Sequence, residues 1–190
     1  MTKLSERDCL LVVDVQNDFC DGGALAVDGG EQVVPVINDW IRRAVAAGSP
    51  VVASRDWHPA DHASFAEFGG QWPAHCVRGT QGADFHPRLA LPDDAVVVSK
   101  ATVAERESYS AFDGTGLAEQ LRDRSVARVI VGGLALDYCV KATVFDAIAE
   151  GFEVHLLKDA TRAVEVEPGD GQRALEEMLR AGAKIDEVEP

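Results

Sequence analysis

The chain has 190 residues, a length that suits one domain with its own apolar core, and we expect a single domain over residues 1–190. Apolar residues make up 46% of the chain and charged residues 26%, as in an ordinary soluble globular protein. The formal net charge of −14 would repel a phosphate backbone, so nucleic acid is not expected as a partner.

The sequence shows neither an export signal nor a membrane segment. The first residues, MTKLSERDCLLVVDV, lack the layout of a signal peptide, and no apolar run reaches bilayer length. Four cysteines, at positions 9, 20, 76 and 139, have no CxxC spacing, so free thiols in a reducing environment are expected. These features predict a cytoplasmic protein without a membrane partner.

Apolar runs rich in β-branched residues alternate with helical patterns along the chain. The predicted strands lie, in chain order, at 9–15, 50–56, 93–100, 126–134 and 152–160, with a short edge strand at 183–188. The predicted helices lie at 31–48, 117–124, 137–151 and 168–182. This alternation predicts a three-layer αβα fold of the α/β class, with a mainly parallel central sheet and helices on both faces.

Residues 56–92 interrupt the alternation with a long segment dense in His, Trp, Pro and Gly. A segment of this length without regular structure is usually functional or disordered, and its aromatic content argues against disorder. Near its start, RDWHPADHASF places Asp56, His58 and His62 close together. Because a metal site needs a further ligand from elsewhere, this stretch alone fits a polar loop and half a metal site equally well.

Chemically active residues follow the predicted strands. Asp14 ends the first strand, Asp56 and His58 end the second, and Lys100 ends the third. The fourth strand leads through a glycine-rich turn to Cys139. Ligands of an open α/β sheet bind beyond the carboxyl ends of its strands, so these groups are expected to meet at one edge.

Cys139 follows GGLALDY and opens a predicted helix. A helix N-terminus lowers the pKa of a thiol and stabilises a developing oxyanion. An Asp can take the thiol proton and return it to a leaving amine, and a Lys between them would depress the pKa of both groups. The residues alone also allow an inert core cysteine, with Asp14 and Lys100 as ordinary polar strand ends.

Five segments together resemble the nicotinamidases, a branch of the isochorismatase-like cysteine hydrolases. They are VVDVQNDF (12–19), RDWHPADHASF (55–65), WPAHCVRGTQGADFHPRL (72–89), VVSKATVAERESYSAF (97–112) and GLALDYCV (133–140). The acid–lysine–cysteine set is shared across the superfamily, whereas the D-W-H…D-H…W-P-x-H-C combination is specific to nicotinamidases. The resemblance implies hydrolysis of nicotinamide to nicotinate and ammonia in NAD salvage, with pyrazinamide as a further substrate.

The resemblance also implies catalytic roles for individual residues. Asp14 would be the general acid and base, Lys100 the charge stabiliser, and Cys139 the nucleophile that forms a thioester. A cis peptide bond is implied between Leu134 and Ala135. It would aim the N–H groups of Ala135 and Cys139 at the oxyanion.

A metal ion and an aromatic pocket are implied in the same way. Asp56, His58 and His75 match the ligands of one divalent transition metal ion, for which zinc is favoured and iron(II) or manganese would also suit. His62 and Glu67 are left outside this set. The residues that match the enclosure of a flat pyridine ring are Phe19, Trp72 and Tyr109.

Two positions depart from the family pattern: Ala101 stands where Gly is frequent, and Leu136 where a small hydroxyl residue is frequent. Neither change removes a catalytic group, although Leu136 would reshape the pocket floor. One alternative is another amidase of the superfamily, acting on a carbamoyl or ureido substrate, and the metal loop argues against it. The other is a catalytically idle binding or oligomerisation module, and the acid, amine and thiol argue against it. A homo-oligomer is compatible with every one of these interpretations.

Overall fold

The computed structural model describes residues 3–186. Within them lie six strands: β1 (Asp8–Val13), β2 (Val51–Asp56), β3 (Val96–Lys100), β4 (Arg128–Leu134), β5 (Glu153–Arg162) and β6 (Lys184–Asp186). The four α-helices are α1 (Val33–Ala47), α2 (Leu117–Asp123), α3 (Lys141–Ala149) and α4 (Asp170–Ala181). The strands form one sheet in the order β3-β2-β1-β4-β5-β6, and every neighbouring pair is parallel.

Alternate residues of β1 pack against different helices. Leu10 and Val12 join an apolar cluster with α1, whereas Leu11 and Val13 join a second cluster that includes buried residues of α2, α3 and α4. This alternation is the ordinary consequence of strand geometry, in which successive side chains point to opposite faces of the sheet. The predicted three-layer fold with helices on both faces is therefore confirmed.

Several element boundaries differ from the predicted ones for local reasons. β1 ends at Val13 because Asp14 adopts φ +49°, outside the extended region. β3 begins only at Val96, after a turn in which the Ala95 N–H donates to the Pro92 carbonyl oxygen at 3.0 Å. β5 continues two residues beyond its predicted end. Within the predicted edge strand, β6 spans Lys184–Asp186, and residues 187 and 188 lie outside the described residues.

The long connection between β2 and β3 is packed against the rest of the protein. It contains two short 3₁₀ segments, Ala66–Phe68 and Gln81–Ala83, and the wholly or almost wholly buried side chains of Phe65 and Cys76. A bridge between His58 and Val77 holds its two arms together. Among residues 3–186, none of the helices combines the length and apolar character needed to cross a membrane.

Candidate active site

The turn after β1 buries a carboxylate at the edge of the sheet. Asp14 has no exposed surface. The Ser54 hydroxyl donates a hydrogen bond to Asp14 Oδ1 at 2.7 Å, and Asp14 Oδ2 lies 3.0 Å from Lys100 Nζ. Because one oxygen is held by a neutral donor and the other faces an ammonium, the carboxylate has a fixed orientation.

Lys100, at the end of β3, connects the polar groups of this edge. Its side chain is buried, and Nζ donates a short hydrogen bond to Asp56 Oδ1 and a longer one, at 3.3 Å, to the carbonyl oxygen of Ser108. Nζ also lies 3.4 Å from Cys139 Sγ. The predicted acid, amine and thiol are thus in mutual contact, and Asp56 joins them.

Cys139 lies in a π-helical turn, Leu136–Val140, that leads from β4 into α3. Such turns occur frequently at functional sites. The peptide bond between Leu134 and Ala135 is cis, as the family resemblance implies. The Ala135 carbonyl oxygen accepts hydrogen bonds from the N–H groups of Tyr138 and Val140, at 3.1 and 3.0 Å. The predicted nucleophile and the predicted oxyanion-hole residues therefore share one turn.

A glycine lets β4 approach β1 closely beside this turn. Gly133 has φ +131°, and a Cβ atom there would lie only 2.0 Å from the Val13 carbonyl oxygen. No other residue fits this combination of backbone conformation and contact without movement. The second glycine of the VGGL sequence is therefore required by the packing of the two strands that precede Asp14 and Cys139.

Burial controls the proton affinities of the acid and the thiol. Desolvation raises the pKa of Asp14 and raises that of Cys139 well above its usual value, and nearby Lys100 offsets only part of each increase. Lys100 lowers both pKa values, as predicted, but burial outweighs this one cation and both net shifts are upward. Burial opposes the charge on Lys100, but Asp14 and Asp56 outweigh it and raise the lysine pKa. These shifts favour an ammonium on Lys100 and a protonated thiol on Cys139 near neutral pH.

Asp56, His58 and His75 form a buried set whose ligand atoms lie within 4.8 Å of one another. His58 Nδ1 lies 3.0 Å from the His75 carbonyl oxygen, and His75 Nδ1 lies 2.8 Å from that of Pro73. Because a carbonyl oxygen can only accept, each Nδ1 carries a hydrogen, and Nε2 is the ring nitrogen left to face a metal ion.

The state of His58 also suits metal binding. His58 Nε2 is buried without a hydrogen-bond partner among the described residues. Burial lowers the pKa of His58 to about 3, so the ring is neutral near pH 7. Two oriented imidazoles and a carboxylate suit a divalent transition metal ion with positions left open for another molecule.

His62 is close to this set but has no free nitrogen. Its Nδ1 lies 2.7 Å from the Ser64 hydroxyl, and its Nε2 lies 3.1 Å from the Arg106 carbonyl oxygen. Glu107, which sequence reasoning missed, forms a second close group with His58 and His62. Glu107 is far from both histidines along the chain, so no spacing motif in the sequence connects it with them. Glu67 is exposed and belongs to neither group.

The predicted aromatic residues fall into two groups by their contacts. Phe19 contacts the metal set, with its ring centroid 5.6 Å from that of His75. Trp72 Nε1 donates to the Tyr109 hydroxyl at 3.1 Å. Both rings pack against Tyr138, at centroid distances of 5.1 and 5.6 Å. Sequence reasoning missed Tyr138, although its position directly before Cys139 was an available signal.

Known proteins share this fold and sequence. Residues 8–189 match the family model for the isochorismatase domain. The nicotinamidase of Escherichia coli (strain K12) is 43% identical, and the match covers 93% of this chain and 92% of that protein. The structure of Pyrococcus horikoshii pyrazinamidase in complex with zinc has a TM-score of 0.92 and 49% identity, covering 96% of this chain and 99% of that one. The structure of PnC1 from L. infantum in complex with nicotinate has a TM-score of 0.89 and 38% identity, covering 98% of this chain and 96% of that one.

Proposed function

Because this chain belongs to the isochorismatase family, we propose that it is a metal-dependent cysteine amidohydrolase that converts nicotinamide and water to nicotinate and ammonia. Its similarity to a nicotinamidase and to a pyrazinamidase supports this substrate class and supports pyrazinamide as a second substrate. The observation that carries the proposal is the buried contact of Lys100 with Asp14, Asp56 and Cys139. It joins a hydrolytic acid–amine–thiol set directly to a metal-ligand set.

In the first half of the proposed reaction, Asp14 takes the proton of Cys139, and the thiolate attacks the carboxamide carbon. The N–H groups of Ala135 and Cys139 stabilise the oxyanion that forms. Asp14 then donates its proton to the departing nitrogen, so that ammonia leaves and a thioester remains on Cys139. Throughout, the ammonium of Lys100 compensates the negative charge as it moves between carboxylate and sulfur.

In the second half, Asp14 accepts a proton from water, which attacks the thioester carbon. The carbon–sulfur bond breaks to give nicotinic acid, the proton on Asp14 returns to the sulfur of Cys139, and the acid releases its own proton to solvent as nicotinate. The same carboxylate therefore acts twice as base and twice as acid. Its raised pKa suits this alternation, because a carboxyl group with higher proton affinity is a stronger base toward a thiol.

The metal, for which zinc is favoured, would be held by Asp56, His58 and His75. A bound ion would supply a Lewis-acid position for the pyridine nitrogen of the substrate. The chain itself orients the two imidazoles through backbone carbonyls. The aromatic cluster of Trp72, Tyr109 and Tyr138 offers flat apolar surfaces that suit a heteroaromatic ring.

We further place this reaction in the recycling of nicotinamide for NAD, in the cytoplasm. The cytoplasmic placement is supported by the four cysteines, all of which are free thiols.

The proposed function predicts ammonia release from nicotinamide by the zinc-loaded protein. A strong chelator should reduce the rate sharply, and added zinc should restore it. Ammonia production is measured with nicotinamide, with pyrazinamide, and with an N-carbamoyl amino acid as the control substrate. Hydrolysis of the carbamoyl compound alone would favour the alternative amidase, and no hydrolysis of either heteroaromatic amide would contradict the proposal.

Replacing His58 with alanine should strip the metal and spare the nucleophile. We expect metal content to fall after dialysis and KM for nicotinamide to rise, while iodoacetamide alkylates Cys139 at the wild-type rate. Elemental analysis and mass spectrometry provide these measurements. His62→Ala is the matched control, because both His62 nitrogens already have partners in the protein. Equal metal loss from the two variants would show that the assigned ligand set is wrong.

A further inference from the structure

The segment that follows Asp14 contains three polar residues with no role in the proposed reaction, and two of them contact the surroundings of the metal set. These two are Gln16 and Asp18, in the sequence VVDVQNDF, where Asp14 and Phe19 already have assigned roles. Both side chains hydrogen-bond to the backbone of residues that carry or adjoin the metal set. Their contacts are distant in sequence, so they connect the first strand turn with the long connection after β2.

Gln16 fixes the peptide groups on both sides of Asp56. The Gln16 side chain is wholly buried. Its Oε1 accepts the Asp56 N–H at 2.8 Å, and its Nε2 donates to the Asp56 carbonyl oxygen at 2.8 Å. Nε2 also donates to the Ala83 carbonyl oxygen at 2.9 Å. One amide thus restrains the backbone of a residue that contacts both Lys100 and the histidines.

Asp18 fixes the turn that presents His75. Its Oδ2 accepts the N–H of Cys76 at 2.7 Å, and the Cys76 carbonyl oxygen accepts the N–H of His58 at 3.0 Å. Cys76 has φ +46°, a conformation that needs support in a residue with a side chain. The Asp18 carboxylate therefore supports Cys76, the residue that directly follows one histidine and accepts a hydrogen bond from the backbone of the other.

Gly82 provides the space for the Asp18 carboxylate. A Cβ atom at Gly82 would lie 2.2 Å from Asp18 Oδ2, far inside van der Waals contact. Gly82 itself has no left-handed backbone requirement, so its lack of a side chain serves this contact. The substitution Gly82→Ala would therefore displace the Asp18 carboxylate while Asp18 itself is kept.

We propose that Gln16 and Asp18 are positioning residues that hold Asp56, His58 and His75 in ligand geometry before the metal binds. This inference rests on the metal site of the proposed function. Groups that orient metal ligands typically change metal affinity by about 10–100-fold when they are removed. The turn that carries the general acid and base would then also set the geometry of the metal set.

The test is zinc affinity, measured by competition with a chromophoric chelator, in Asp18→Asn, Gly82→Ala and Gln16→Ala. We expect zinc binding to weaken by about 10–100-fold in each folded variant. Iodoacetamide should still alkylate Cys139 in the metal-free proteins at the wild-type rate. Asn17→Ala is the matched control and should bind zinc normally, because the Asn17 amide donates to the Gln81 carbonyl oxygen at 2.7 Å and to no ligand residue.

The possible outcomes separate this inference from the proposed function. Wild-type zinc affinity in both Asp18→Asn and Gly82→Ala would overturn the positioning role and leave the metal site intact. Failure of the wild-type protein to bind zinc would overturn the metal site and the inference together. A parallel loss of alkylation rate and unfolding temperature would show a general structural role, which also overturns the inference. If Gln16→Ala does not fold, the zinc affinities of Asp18→Asn and Gly82→Ala decide the test.

Discussion

Replacing Cys139 with alanine is expected to lower kcat for nicotinamide hydrolysis by roughly 10⁴–10⁶-fold, the range seen when a nucleophile is removed from a group that acts as a unit. Alanine leaves no atom that can form the thioester, while the pocket and the metal set keep their residues. The measurement is ammonia release under saturating nicotinamide. Trapping a nicotinoyl adduct on the wild-type protein by acid quench and mass spectrometry identifies the acylated residue.

Cys20→Ala is the matched control for this experiment. Cys20 is also a buried free cysteine, and burial raises its pKa to about 11, but it lies outside the contacts of Lys100. We expect this variant to retain wild-type kcat and Cys139→Ala to retain wild-type zinc content. Comparable activity in Cys139→Ala and the wild type would rule out covalent catalysis at this thiol.

Replacing Asp14 with asparagine is expected to lower kcat/KM by roughly 10²–10⁴-fold, the usual contribution of a general acid or base. The amide has nearly the same shape and can still hydrogen-bond the Ser54 hydroxyl, but it cannot take the thiol proton. Zinc content should be unchanged, because Asp14 is not in the Asp56–His58–His75 set. A loss smaller than threefold would remove Asp14 from the proposed reaction.

The pH profile gives an independent test of the same residue. Burial raises the pKa of Asp14, so its carboxylate is lost at a higher pH than that of a free aspartate as the solution becomes more acidic. The acid limb of wild-type kcat/KM should therefore lie above the ordinary value of about 4, and Asp14→Asn should lack it. The Ser54 hydrogen bond lowers this pKa, so Ser54→Ala should move the limb to still higher pH. An unmoved limb in Ser54→Ala would assign it to another group.

Sequence reasoning was most effective where one physical rule connects pattern and structure. Buried parallel strands are nearly continuous apolar runs, so their number and order along the chain were predictable. The carboxyl ends of parallel strands share one edge, so Asp14, Lys100 and Cys139 were expected to meet. Lys100 Nζ lies 3.0 Å from Asp14 Oδ2 and 3.4 Å from Cys139 Sγ, which is the expected meeting at atomic distance.

The features that were not predicted depend on distances in space, which the spacing of residues along the chain does not give. The net pKa shifts of Asp14 and Cys139 depend on how burial compares with one nearby ammonium, and burial is the larger effect. The bond between Lys100 and Asp56 joins two neighbouring strands at paired positions, which becomes visible only with the register. The approach of Glu107 to His58 likewise depends on how a loop folds back.

The strand order has a consequence for where a cleft can form at all. The chain adds β2 and then β3 outward from β1, and it then returns to place β4 on the other side of β1 and continues outward to β6. Progression across the sheet reverses between β1 and β4, where the helices that follow these two strands cover opposite faces. Such a reversal separates the two loops and opens a crevice between them.

Asp14 follows β1 and Cys139 closely follows β4, so the acid and the nucleophile come from the two strands between which the progression reverses. The position of such a crevice is thus set by the winding of the chain and not by its side chains. Residues of the long connection after β2 can therefore vary while the strand order that brings Asp14 and Cys139 together stays the same.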